Sequence, residues 1–143
     1  MSTQALYTPA MLAAAVELAD YPRLKEPTVQ GSARSISCGS SLELDFTLGG
    51  QERVKQVGLT VRACAVGQAA AAIFARHVAG KSPAEIASVH DDLLAWLDGA
   101  DGEPDWPDLE LIAPAREYRG RHGAMMLPWR AATAALSSVA TSG

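Results

Sequence analysis

Apolar residues recur at helical spacing near the start of the chain, alternate strictly with polar ones in the middle, and return to helical spacing in the second half. Met11, Leu12, Ala15, Val16 and Leu18 mark an amphipathic helix over about 8–19, opened by Thr8 as N-cap with Pro9 at the first helical position. Pro22 ends it, because the residue before a proline avoids helical backbone. Residues 21–31 hold Pro22, Pro27 and Gly31 and read as a connecting loop. Three strands follow. The first is short, over 32–38, and contains Ile36. The second, over 42–48, alternates apolar and polar residues at every step, as a sheet with one buried face requires. Gly49-Gly50 predicts a tight hairpin with positive φ available at both residues, and a third strand over 54–62 puts Val57, Leu59 and Val61 on one face. The expected sheet is an antiparallel meander.

The remainder reads as helical. An alanine-rich helix over 64–79 carries Val66, Ala69, Ala70, Ile73 and Val78, with Gly80 as its C-cap. Ser82-Pro83-Ala84-Glu85 is a capping box with proline in the first turn, and the helix it opens bears Ile86, Val89, Leu93, Leu94 and Leu97 before stopping at Gly99. Residues 100–107 form a loop, 109–112 a short helical piece, and a last helix spans about 122–136 with Pro128 near its first turn. Residues 1–5 and 137–143 are expected to be disordered tails. The fold class is α+β: one domain over 1–143, a three-stranded antiparallel sheet packed against about five helices.

Composition narrows the function. The chain has 143 residues, of which 48% are apolar and 20% charged, so a packed core is available without metal or disulfide support. A formal net charge of −4 argues against a general nucleic-acid or anionic-membrane binder. No apolar run reaches membrane-spanning length, and the first residues lack a basic segment ahead of an apolar one, so a cytoplasmic location is expected. Alanine supplies 27 residues, which allows helices to pack closely. Nine acids and no Lys or Arg lie between Lys81 and Arg116, and Arg116, Arg119, Arg121 and Arg130 follow; a solvated helix and loop explain the acidic run.

Candidate chemistry rests on few residues. Cys38 stands in Cys38-Gly39-Ser40-Ser41 between two strands, and Cys64 opens the alanine-rich helix, whose N-terminal end favours an anionic thiolate. An antiparallel sheet brings the two positions to one edge. From spacing alone, two unrelated small apolar residues are the better account of the pair, and no C-x-x-C is present. His77 and His90 fit helix-surface or capping roles, while His122 sits among arginines at the start of the last helix. No phosphate-loop, dinucleotide-binding, serine-hydrolase or zinc-protease motif occurs. A thiol enzyme using Cys64 has no identifiable partner histidine, so no enzymatic activity is expected.

The order of these elements, with Leu6-Tyr7, Tyr21-Pro22-Arg23, CGSSLELDF from Cys38, the A-C-A-x-x-x-A run around Cys64, Gly80-Lys81 and RHGAMMLPW from Arg121, resembles the NifU/SufU-type (IscU-like) iron–sulfur cluster assembly scaffolds. The resemblance spans residues 6–136, and the segment between His90 and Ala115 looks like the SufU-type branch. It implies a SufU/IscU-like fold, a NifU N-terminal-like domain and a cysteine desulfurase as partner. That family holds zinc or a cluster with three cysteines and an aspartate. Cys38 and Cys64 match the first two cysteines, Ser40 falls on the aspartate and Ala124 on the third cysteine, while Arg121, a partner-binding candidate, and Leu127-Pro128-Trp129 match. Two of four ligand positions are thus lost, with Ser40 and His122 as weaker substitutes. The resemblance therefore implies an iron–sulfur cluster or zinc, or no cofactor given the incomplete set. The expected function is a scaffold-like or sulfur-acceptor protein with a degenerate metal site; the alternative is a non-metal-binding interaction module of the same fold.

Overall fold

The strictly alternating run becomes the central strand of the sheet, and its two faces organise everything else. In the computed structural model, which describes residues 7–36 and 39–142 (side chains only as far as residue 137), the sheet runs β1 (Val29–Ser35), β2 (Ser40–Leu48), β3 (Val54–Arg62), antiparallel and in that order. Leu42, Leu44 and Phe46 on β2 are fully buried on the inner face, where Leu44 pairs with Gly31 on β1 and Leu59 on β3. Four α-helices complete the described chain: α1 (Pro9–Val16), α2 (Ala65–His77), α3 (Pro83–Leu97) and α4 (His122–Ser142). α4 packs on the inner face at β1, α2 lies beside α4, α1 covers α2, and α3 covers α4.

Small residues set how close these layers come. A Cβ at Gly31 would stand 2.2 Å from the Ala131 carbonyl oxygen, so α4 lies directly on the β1 backbone. Beneath the sheet, Phe74 of α2 stacks on Trp106 at 5.5 Å, and both meet the Trp129 ring edge-on at 5.4 Å. Each such pair adds about 0.5–1.5 kcal/mol beyond burial alone. Trp106 belongs to the loop after α3, and its indole N–H donates to the Ile73 carbonyl at 3.0 Å, closing that loop onto the core.

The outer face is held by charge. Residues 21–24 cross the sheet over Gly58, where a Cβ would stand 2.4 Å from the Pro22 carbonyl oxygen. Beneath this crossing lies Asp45, whose side chain is 1% exposed although its position in the alternation faces outward. Arg23 donates to both of its oxygens, at 2.7 and 2.8 Å, with the Leu24 amide at 2.9 Å and Gln30 Nε2 at 2.8 Å completing the shell. At the far end of α2, Arg76 forms a fork to Glu17 and a further bond to Asp108, which also meets His77, tying the segment after α1 to the loop before residue 109.

Several boundaries differ from the pattern's expectation. The helix predicted over 8–19 is α-helical only to Val16 and tightens into a 3₁₀ turn over Glu17–Asp20, where Glu17 is drawn to Arg76. β1 begins at Val29 and ends at Ser35, before Cys38, which lies outside the described residues, as do residues 1–5. The two-glycine hairpin is replaced by a 3₁₀ turn over Gly50–Glu52, with positive φ on Gln51 and Glu52 and a register shift at Thr47/Leu48. The turn is longer because Arg53, at its end, is anchored to the Gly80 carbonyl and to Glu85. The piece expected over 109–112 is not a fifth α-helix. Residues 109–121 instead form three 3₁₀ turns, which suits Pro114 and Gly120, neither of them a residue for a helix interior. The last helix runs to Ser142, past the frayed end expected after Leu136, and carries Pro128 in its interior.

The Arg23 guanidinium, with Gln30 and the Leu24 amide, holds the Asp45 carboxyl down from 3.8 to about 2. A group bound more tightly when ionised stabilises the fold above its unfolded value and loses that contribution as pH falls through the folded value. Stability should therefore drop by about 2 kcal/mol from this group between about pH 4 and pH 2. Arg23→Gln should cost about 2–3 kcal/mol at pH 7 by leaving a buried carboxylate without its cation, and should flatten the acid-side slope. Urea denaturation of both proteins across that pH range checks both statements.

Candidate functional site

The third strand delivers Cys64 to one end of the sheet. After Arg62 the chain turns through Ala63, and Cys64 takes extended backbone (φ −67°, ψ 174°) as the N-cap of α2. Its side chain forms no capping hydrogen bond, and the thiol is free and half-buried. Gln68 fixes this turn from both sides: its amide donates to the Cys64 carbonyl at 2.9 Å and its Nε2 to the Ala63 carbonyl at 2.8 Å.

Two of the residues tied to the site by sequence converge on the same end. Ser40 is the first residue of β2; its neighbour Ser41 pairs with Arg62, so Ser40 lies level with the chain leading into Cys64. It is 4% exposed and follows Gly39, whose φ of +68° turns the chain into the strand. Ala124, in the first turn of α4, is fully buried against the first turn of α2: a Cβ built on Gly67 would meet Ala124 Cβ at 3.1 Å and Ala63 Cβ at 2.6 Å. Pro128 has no N–H to offer the Ala124 carbonyl, so the helix omits the bond normally made there.

His122 is turned the other way. Its Nε2–H donates to the Arg116 carbonyl at 2.6 Å, and its ring lines a cavity with Leu94, Leu97 and Asp98 beside α3. Two residues along a helix correspond to about 200° of rotation, so His122 and Ala124 serve opposite faces of α4. Arg116 is itself fixed, donating to the Trp96 carbonyl at 2.6 Å and lying 4.3 Å from the Trp96 ring. Arg121 donates to the Tyr7 hydroxyl at 2.9 Å, a pairing across the whole chain that no sequence spacing could indicate. Gly67 was likewise missed as a site residue; a glycine in the first turn of an otherwise alanine-rich helix was the available signal.

The donor set can be tested against a resident metal. Among the described residues no group of three or more His, Cys, Asp or Glu side chains gathers. Cys64 supplies one thiol, Ala124 supplies nothing, His122 Nε2 is engaged, and a serine hydroxyl is a poor ligand near neutral pH. These described residues do not fit a four-coordinate zinc; Cys38 lies outside them.

No protein-family model matches the sequence, and no curated protein matches it. Solved structures do. The chain is similar to the N-terminal domain of a nitrogen-fixing NifU-like protein from Brucella abortus, with a TM-score of 0.87 and 24% identity over 100% of both chains. It is also similar to a protein named for iron–sulfur cluster assembly scaffolding in the SUF system, from Fervidobacterium islandicum AW-1, with a TM-score of 0.77 and 18% identity over 92% of this chain and 97% of that one. The fold is the NifU/SufU type. The expected α+β architecture stands in these terms, with four described α-helices in place of about five.

Gly67→Val should force α4 away from Cys64. We expect a loss of about 2–3 kcal/mol from overpacking and a β-branched helix residue. In a Cys38→Ser background, the rate of Cys64 modification by a chromogenic disulfide should rise, which stopped-flow absorbance checks.

Proposed function

We propose that this chain is a NifU/SufU-type protein of iron–sulfur cluster assembly, scaffold-like in fold and a sulfur acceptor in chemistry, with a degenerate metal site. The observation that carries the reading is the placement of Cys64: a half-buried free thiol at the sheet end, in a chain whose whole length follows the NifU N-terminal fold. The family resemblance implies a cysteine desulfurase as the partner, which we propose here with Arg121, beside Tyr7, as a contact for it.

The chemistry asked of Cys64 is simple and balanced. Its thiolate attacks the outer sulfur of a partner's cysteine persulfide. A new S–S bond forms on Cys64 as the old one breaks, and the partner's cysteine leaves as a thiolate. No oxidant is consumed. An iron–sulfur cluster would be cargo built later, with Cys38 as the second thiol; zinc would need donors that Ser40 and Ala124 do not provide. No helix among the described residues is long and apolar enough to cross a membrane, in keeping with the cytoplasmic setting we propose. The alternative, an interaction module of this fold without metal, draws on the buried methyl of Ala124 where a ligand is expected.

Incubation with a purified cysteine desulfurase and L-cysteine, followed by non-reducing peptide mass spectrometry, separates the two. Sulfur acceptance predicts a mass gain of one sulfur on Cys64 that is absent in Cys64→Ser. A folded protein that takes up no sulfur would favour the module.

Elemental analysis after anaerobic purification should find zinc and iron well below one per chain. The double change Ser40→Asp with Ala124→Cys adds a carboxylate and a thiolate beside Cys64, and with Cys38 completes a tetrahedral set at about 2.0–2.3 Å. Titration against a chromophoric chelator should show zinc binding far tighter than in the parent or either single variant. A folded double variant no tighter than the parent would mean that Ala124 does not occupy the lost ligand position.

A further inference from the structure

The outer sheet face changes character toward the Cys64 end. Register places three rows across the strands: Gln30, Asp45 and Gly58; then Ser32, Glu43 and Thr60; then Arg34, Ser41 and Arg62. The first row is covered and neutralised by Arg23, which also reaches Glu43 at 3.2 Å. The third row is not. Arg34 and Arg62 flank Ser41 with exposed side chains, each one strand spacing from it, or roughly 10 Å from one another. Arg130 of α4 joins them around the β1 edge, donating to the Arg34 carbonyl at 2.7 Å. Together with Ser32, Glu43 and Thr60 these residues line an open concavity of about 500 Å³.

None of the three arginines forms an ion pair among the described residues. Asp98 lines the adjoining cavity with Arg130 without pairing to it. Three unpaired guanidinium groups on one face of a chain with net charge −4 repel one another, and the fold spends no carboxylate on them. Ile36, one residue past the end of β1 and two past Arg34, stands 97% exposed.

We propose that this concavity docks a protein partner through an acidic surface segment, its carboxylates forked onto Arg34, Arg62 and Arg130 and an apolar side chain set against Ile36. Guanidinium groups match carboxylates in geometry, and arginine with an apolar neighbour is the composition of interface centres. A small oxyanion would make no use of Ile36. A second copy of this chain, offering its own acidic run, is the competing occupant, and the sedimentation arm of the test distinguishes it. Because Arg62 lies two residues before Cys64, a segment seated here brings its carrier to the thiol. The docking surface stands independently of what Cys64 accepts.

The test uses the intact protein and a synthetic Asp/Glu-rich peptide carrying one leucine, labelled for fluorescence anisotropy, with its Asn/Gln counterpart as control. Binding should be confined to the acidic peptide and fall steeply with salt. It should weaken at least tenfold in Arg34→Glu/Arg62→Glu and severalfold in Ile36→Ser. All three positions are exposed, and circular dichroism confirms that the variants fold. Equal binding of the neutral peptide, or acidic-peptide binding indifferent to the arginine changes, overturns the proposal. Competition by inorganic phosphate at the peptide's own concentration overturns it in favour of a small-anion site. Low-salt self-association in sedimentation that disappears in the arginine variant overturns it in favour of a second copy.

Discussion

α4 rests on two backbones at once, and the site exists because it can. On the sheet side, Gly31 leaves room for the Ala131 carbonyl; on the helix side, Gly67 leaves room for Ala124. Any side chain at either glycine would lift α4, and its first turn would swing away from Cys64. The abundance of alanine follows from the same constraint: Ala69, Ala70, Ala71 and Ala72 on α2, and Ala131, Ala132 and Ala135 on α4, are nearly or fully buried between closely spaced elements. Bulk is concentrated in one cluster of Phe46, Phe74, Trp106 and Trp129, whose rings contact one another within the same core.

The outer face solves a different problem. A three-stranded sheet covered by helices on one side leaves its other side to water, and alternation in β2 puts Asp45 there. The chain between α1 and β1 then crosses that face and buries the carboxylate. Burial of a charge is tolerated because Arg23, Gln30 and the Leu24 amide together satisfy both oxygens. The pair does more than hold a loop. It fixes the crossing segment over Gly58, where the Tyr21 carbonyl accepts the Leu59 amide at 2.9 Å.

Much of this was legible in residue order. The alternation in β2, the capping box at Ser82 and the glycine after α2 each depend on local chemistry, and each lies where the pattern puts it. What failed depended on contacts made from far along the chain. The Gly49-Gly50 hairpin lengthened because Arg53 is held by Gly80 and Glu85, and the first helix tightened where Glu17 meets Arg76. The site divides in the same way. Cys64 and Ala124 could be aligned by motif, and the structure sets Ala124 against Gly67 in the first turn of the helix that Cys64 opens. His122 looked like a spare ligand because sequence shows neighbours but not direction; two positions along a helix turned it toward Arg116 and α3. Asp45 read as a solvent-facing residue because alternation cannot reveal a segment that crosses above it.

The donor positions suggest how one backbone can serve two chemistries. Holding a metal needs about four donors converging on one point, and the loss of any one leaves an open coordination position. Accepting a sulfur atom needs one nucleophile with room in front of it. Ser40 and Ala124 are both smaller than the aspartate and cysteine that the resemblance puts at their positions, and both are buried. Replacing those side chains removes donors without altering the elements that carried them: Gly39 still turns into β2, Gly67 still admits α4, and Pro128 still interrupts the α4 hydrogen bonding. Cys64 remains at the N-cap with its sulfur uncommitted. By the resemblance, the Cys38 and Cys64 positions keep their thiols while the Ser40 and Ala124 positions lack their donors, an arrangement compatible with the sulfur acceptance proposed above and short of the set a four-coordinate zinc needs.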